Sequence, residues 1–215
     1  SVYALLSEFP SASSIAGAHL TRLTNLLYTA SKGRYGRDKA IVIRDAARCS
    51  VGTYLPAKSL ELKLTIHLID ILSSEISEIE AAIDEIMATL NSPITTIPGI
   101  KNRMGAMILA ELGDISRFDN PDQILAYAGL SPSTYQSGQL TSSYAHMEKR
   151  GSRYLRYALF NATKFVCHWE PGFNAYLSKK QSEGKHYYVA VSHACKRLVR
   201  LIYRMQLTGE PFRTA

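Results

Sequence analysis

Between Leu62 and Leu90 the apolar residues fall on alternating steps of three and four. Leu62, Ile69, Leu72, Ile76, Ile79, Ile83, Ile86 and Leu90 carry the pattern, with Thr65 in the single gap. Such steps average 3.5 residues, just under one α-helical turn, so all these side chains lie on one seam of one helix. A strand, with its period of two, would scatter them over both faces. Glu75, Glu78, Glu80 and Glu85 stand off the seam. A helix this long with a single apolar seam buries it against another helix. The expected fold class is therefore all-α, a long coiled-coil helix pair followed by a compact helical domain. The partner of the seam is either the chain's own 19–50 region or a second copy, making a homo-oligomer through the 60–90 helix.

Punctuation by proline, glycine and capping residues divides the rest. Residues 1–54 form a helical region in which HLTRLTNLLYTA (19–30) sets Leu20, Leu23, Leu26 and Leu27 on one face. Ser11 or Ser13 caps the helix after Pro10. Residues 55–92 are the coiled-coil helix, stopped by Asn91-Ser92-Pro93. Residues 93–215 form the compact domain. There, Ile97-Pro98-Gly99-Ile100 makes a tight turn into a helix at 102–112, the outline of a helix-hairpin-helix element. Gly99 and Lys101 are its candidate phosphate contacts, since a helix N-terminus exposes N–H groups and favours negative charge. A plain αα-hairpin packed into the core is the alternative. Asn120-Pro121-Asp122 opens a short helix to 128, and further helices are expected at 152–168, 172–182 and 186–207.

Charge is unevenly distributed. Residues 55–91 carry 2 basic and 7 acidic groups, whereas 149–204 carry 12 basic and 2 acidic ones. A positive surface of that density suits a phosphate backbone. Lys149, Arg150, Arg153 and Arg156 cluster at its start, and Lys196, Arg197 and Arg200 recur at helical spacing near its end. The 3 cysteines are scattered, with no CxxC pair and no zinc framework, as in a reducing cytoplasm. Cys167 beside His168 suits a packed helix better than a metal. No apolar run is long enough to span a membrane. The opening SVYALLSEFP reads like the interior of a longer protein.

Three stretches follow one another closely: TTIPGIKNRMGAMILAELGDISRF (95–118), QILAYAGLSPSTYQSG (123–138) and KRGSRYLRYAL (149–159). In this order they resemble the C-terminal transposase domain of the DEDD insertion-sequence transposases. That family includes the pilin-gene DNA invertases and the bridge-RNA-guided recombinases. The resemblance spans roughly 55–215. It implies that Ser137, followed by Gly138, is the nucleophile that joins to DNA. It also implies that four acidic residues binding Mg2+ sit in an N-terminal RuvC-like domain not found in this sequence. DNA is the implied partner, and a guide RNA remains open. On this reading the chain alone binds but does not recombine, and it holds no metal or cofactor of its own. Family members usually have glycine where Lys101 stands, which weakens close backbone approach there and adds a cation. The alternatives are a non-catalytic helix-hairpin-helix DNA-binding module, a coiled-coil oligomerisation module, and a tyrosine nucleophile among Tyr135, Tyr144, Tyr154 and Tyr157.

Overall fold

The computed structural model describes residues 1–132 and 147–214 in full, and the backbone of 136–137 and 140–141. Among the described residues there are ten α-helices, two 3-10 turns and one two-residue antiparallel ladder. The all-α expectation holds. The chain divides into two compact units, Ser1–Ile79 and Glu80–Ala215.

The first unit begins with α1 (Val2–Glu8), α2 (Ala12–Ala16), α3 (Leu20–Ala30) and α4 (Arg37–Arg48). Ser11 caps α2 through a reciprocal box. The Ser14 amide donates to Ser11 Oγ at 3.1 Å, and the Ser11 amide to Ser14 Oγ at 3.1 Å. Leu23 and Leu27 turn inward onto Leu5, Phe9, Ile15 and Ala40, while Leu20 and Leu26 pack at the margin of this small core.

Helix α5 (Pro56–Leu90) is 35 residues long, as the seam requires. Its seam is largely uncovered in the single chain: Leu72, Ile76, Ile79, Ile86 and Leu90 are exposed, while Ile83 packs at the edge of the second core. Helices α3 and α4 pack on each other and on α1 and α2, so the 19–50 region has a core of its own. Leu60, Leu64, Leu68 and Ile71 are also exposed, which widens the apolar surface beyond the seam residues.

In the second unit, α6 (Asn102–Leu112), α7 (Pro121–Tyr127), α8 (Arg153–Trp169), α9 (Pro171–Ser182) and α10 (Tyr187–Thr208) share one core. Helices α8 and α10 form its centre. Ala158 and Ala162 on one, and Ala190 and Ala194 on the other, are fully buried, and such small side chains let two helix backbones approach closely. Leu155, Leu159, Val166, Leu198 and Ile202 fill the space around them, each worth roughly 1.5–3 kcal/mol when fully buried. Of the pair Phe165 and Val166, Val166 is the inward residue. The caps follow the sequence: Asn120 Oδ1 accepts from the Gln123 amide at 3.1 Å, and Ser152 Oγ from the Leu155 amide at 3.0 Å. Buried Glu170 ends α8 and caps α9, accepting from the Phe173 amide at 2.6 Å.

Candidate nucleic-acid interface

The segment that bears Ser137 rises from a closed stem. Residues 127–132 run antiparallel to 147–152. The Lys149 amide donates to Gly129 O at 3.1 Å, the Glu148 amide to Ser131 O at 3.1 Å, and the Ser152 amide to Tyr127 O at 2.8 Å. Pro132 and Met147 form a bridge at the top of the stem. Two glycines permit this closeness. At Gly151, with φ +106°, a Cβ would lie 2.1 Å from Tyr127 O; at Gly129, with φ +65°, it would lie 2.3 Å from Arg150 O. Arg156 locks the stem from below. Its Nη1 donates to Ala128 O at 3.0 Å and to Lys149 O at 3.1 Å, one carbonyl on each side. Ser152 Oγ adds a bond of 2.5 Å to Glu111 Oε2, tying α6 to the start of α8. Beyond the stem, Gln136 pairs with Thr141 and Ser137 with Leu140. The Ser137 side chain, Gly138, Tyr135 and Tyr144 lie outside the described residues.

The four cations at the head of α8 do not share one role. Lys149, Arg150 and Arg153 are exposed, whereas Arg156 is half-buried and turned into the stem. Arg153 lies over the Tyr154 ring, 4.7 Å from its centre, and donates to its hydroxyl at 2.7 Å. Lys149 holds a left-handed backbone, φ +56°, uncommon for a residue with a side chain. A second basic group stands on α10. Lys196, Arg197 and Arg200 line an open pocket of about 420 Å³ with His193 and Tyr176 of α9. The Arg197 guanidinium lies over Phe173 and Tyr176, 5.1 and 5.5 Å from the ring centres. Arg200 is 3.7 Å from Asp122 Oδ1, both side chains well exposed, which contributes little to stability. The sequence reading passed over His193. Partial burial, then Lys185, Lys180 and Lys196, push its pKa below the ordinary 6.5, with Glu183 opposing.

The 93–101 turn is built differently from the stem. A 3-10 turn (Pro93–Thr96) precedes Gly99, whose φ is +93°. A Cβ on Gly99 would fall 2.7 Å from the Phe165 carbonyl carbon and 2.9 Å from the Val166 nitrogen, so this glycine makes room for the backbone of α8. Lys101 is exposed at the N-cap of α6. The first turn of α6 is held by acids of α5: Asn102 Nδ2 donates to Asp84 at 2.8 Å and Arg103 Nη1 to Glu80 at 3.1 Å. Those carboxylates oppose an anion at this helix start, so the cationic sides of α8 and α10 suit phosphate better.

Among the described residues, no three His, Cys, Asp or Glu side chains gather as a metal site. Asp114 caps the 3-10 turn Ile115–Arg117, accepting from the Ser116 amide at 2.9 Å. Burial pushes the Cys167 thiol up to about 11, with Glu170 adding to the effect, and pushes Cys195 to about 11 as well. Neither is a thiolate near neutral pH. His168 is exposed while Cys167 is buried, so that adjacent pair does not converge on one site. No helix among the described residues is long and apolar enough to cross a membrane.

Residues 91–178 match the family model described as Transposase IS116/IS110/IS902 family, a match running from the end of α5 through the loop stem and α8 into α9. Residues 91–178 are thus similar to the transposase domain of that family. The chain is 28% identical over 207 residues to an insertion element IS116 uncharacterized 44.8 kDa protein of Streptomyces clavuligerus, covering 94% of this chain and 51% of that one. It is 28% identical over 122 residues to a pilin gene-inverting protein of Moraxella bovis, covering 56% and 38%. An insertion element IS110 uncharacterized 43.6 kDa protein of Streptomyces coelicolor is 27% identical over 134 residues, covering 61% and 33%. The chain thus spans about a third to a half of the length of these relatives. The matched stretch contains the stem and its cations, while the basic residues of α10 lie beyond it.

Proposed function

We propose that this chain is the DNA-binding, serine-bearing part of a recombinase that cuts and exchanges DNA strands. The observation that carries the reading is the stem. A loop containing Ser137 is clamped at its base by Arg156, and three exposed cations, Lys149, Arg150 and Arg153, stand beside that base. A serine hydroxyl on a loop whose base is cationic suits attack on a phosphodiester, where negative charge grows on the phosphoryl oxygens. In the step proposed, Ser137 Oγ gives up its proton to a base and bonds to phosphorus. The phosphorus–O3′ bond breaks, and the departing oxygen takes a proton. Base and Mg2+ are assigned to a carboxylate domain of the full-length protein, and no such carboxylate cluster stands among the described residues here. The pilin gene-inverting relatives bring DNA inversion within this reading.

The cations of α8 and α10 are assigned to phosphates, with Lys101 as an outlying contact. Charge reversal at Arg150 and Arg153 tests this. Each lost phosphate contact lowers the slope of log affinity against log salt by about 0.9 on duplex DNA. An unchanged slope and affinity would remove these arginines from the interface. The exposed seam of α5 is assigned to a second copy of the chain, since heptad seams pair with heptad seams. Sedimentation should show a dimer that Ile76→Glu and Ile79→Glu convert to monomer. A wild-type monomer at high concentration would reject the pairing. A guide RNA is a further partner of this reading, to be tested by whether RNA copurifies with the full-length protein.

A further inference from the structure

From the foot of the stem outward, one edge of α8 carries Arg153, Tyr157, Phe160 and Lys164. At 3.6 residues per turn these four fall within about 60° of one another, and the strip runs about 16 Å along the helix. Its aromatic part continues onto α10. Phe160 stacks on Tyr188 with ring centres 6.3 Å apart and planes at 29°. Tyr187 meets Tyr188 edge-on at 5.4 Å, and His186 lies 5.6 Å from it. The Lys164 ammonium sits 5.0 Å from the centre of Phe160 and 5.9 Å from that of Tyr188. These rings are not core: Tyr157 is 60% exposed and Tyr188 57%. Tyr157, Tyr187 and Tyr188 thus stay exposed beside part-buried Phe160, with Arg153 and Lys164 on the same edge.

We propose that this strip is a stacking shelf for unpaired bases of single-stranded DNA. The π faces of bases in a duplex are occupied by their neighbours, so a row of open rings engages only bases that have left the stack. Arg153 and Lys164 then meet the phosphates on either side. The charge of residues 149–204, 12 basic against 2 acidic, matches a polyanion and opposes a basic or purely apolar protein partner, and among polyanions it is a nucleic acid that brings flat rings to stack. The proposal rests on the reading of this chain as part of a recombinase, because strand exchange passes through DNA whose bases have parted.

The test compares binding of the chain to oligothymidylate and to an abasic deoxyribose-phosphate strand of equal length, by fluorescence anisotropy of the labelled strands. The two strands carry the same charge, so their difference reports the bases alone. The wild type should prefer oligothymidylate by at least about five-fold per stacked base. Tyr157→Ala and Tyr188→Ala should each lower binding of oligothymidylate by about that factor and leave the abasic strand unaffected. Tyr157→Phe and Tyr188→Phe, which keep the ring, should restore it. Equal binding of the two strands by the wild type overturns the shelf while leaving the phosphate reading intact. Failure to bind either strand overturns both. Tighter binding of the matching ribose strand overturns the assignment to DNA, and equal losses on both strands in the alanine variants overturn a stacking role.

Discussion

Replacing Arg156 should loosen the stem that carries Ser137, and the size of the effect follows from two bonds. Arg156 Nη1 donates to Ala128 O and Lys149 O at 3.0 and 3.1 Å, with the side chain half-buried. A hydrogen bond to a charged group contributes about 1.5–3 kcal/mol net. One nitrogen serves both acceptors and water reaches part of the site, so the low end applies and Arg156→Ala should cost about 3 kcal/mol. For a chain of this size that corresponds to a Tm lower by about 6–12 °C. Arg156→Lys keeps the charge but loses the planar fork, and should fall between the two. Thermal unfolding gives the total effect. Native-state hydrogen exchange locates it, since the Lys149 and Ser152 amides that zip the stem should exchange faster in Arg156→Ala. An unchanged Tm and unchanged exchange, together with weaker DNA binding, would refute the clamp and make Arg156 a phosphate ligand.

Gly99→Ala should destabilise by about 2–4 kcal/mol, because φ is +93° and the new Cβ would press on the backbone of α8; denaturant midpoints check it. Under native conditions near pH 8, iodoacetamide should modify exposed Cys49 alone, with Cys167 and Cys195 reacting only after unfolding, as mass spectrometry will show. The His193 pKa is lowered in the folded chain, so the unfolded chain takes the proton first. The stability it contributes is full above about pH 6.5 and is lost as pH falls through the folded value. His193→Asn should flatten the Tm–pH profile in that window, and sulfate should raise the wild-type Tm most at its acidic end.

The helices were legible where a local signal set them. The seam at 62–90 has a period that only a helix satisfies, and Asn120-Pro121 and Ser152 capped the helices they preceded. The group Lys149, Arg150, Arg153 and Arg156 was legible as a cluster but not as a division of labour. An arginine that clamps carbonyls and one that faces water look alike in sequence, and Ala128 O is 28 residues away. The glycines of the stem were opaque for the same reason: Gly151 is demanded by Tyr127, across the loop. His193, three and four residues before Lys196 and Arg197, could have been found by helical spacing alone. The strip at 153, 157, 160 and 164 carried the same signal, but its stacking partner Tyr188 arrives from another helix. The seam was read correctly as a helix face, while the 19–50 region proved to have its own core.

The central claim is that Ser137 bonds covalently to DNA. The full-length protein should be incubated with target DNA and Mg2+, quenched, digested, and the peptides spanning residues 133–146 read by mass spectrometry. A nucleotide phosphodiester on Ser137, together with loss of both the adduct and strand exchange in Ser137→Ala at nearly unchanged DNA affinity, is the predicted result. Strand exchange retained in Ser137→Ala, or an adduct on a tyrosine in its place, would contradict it.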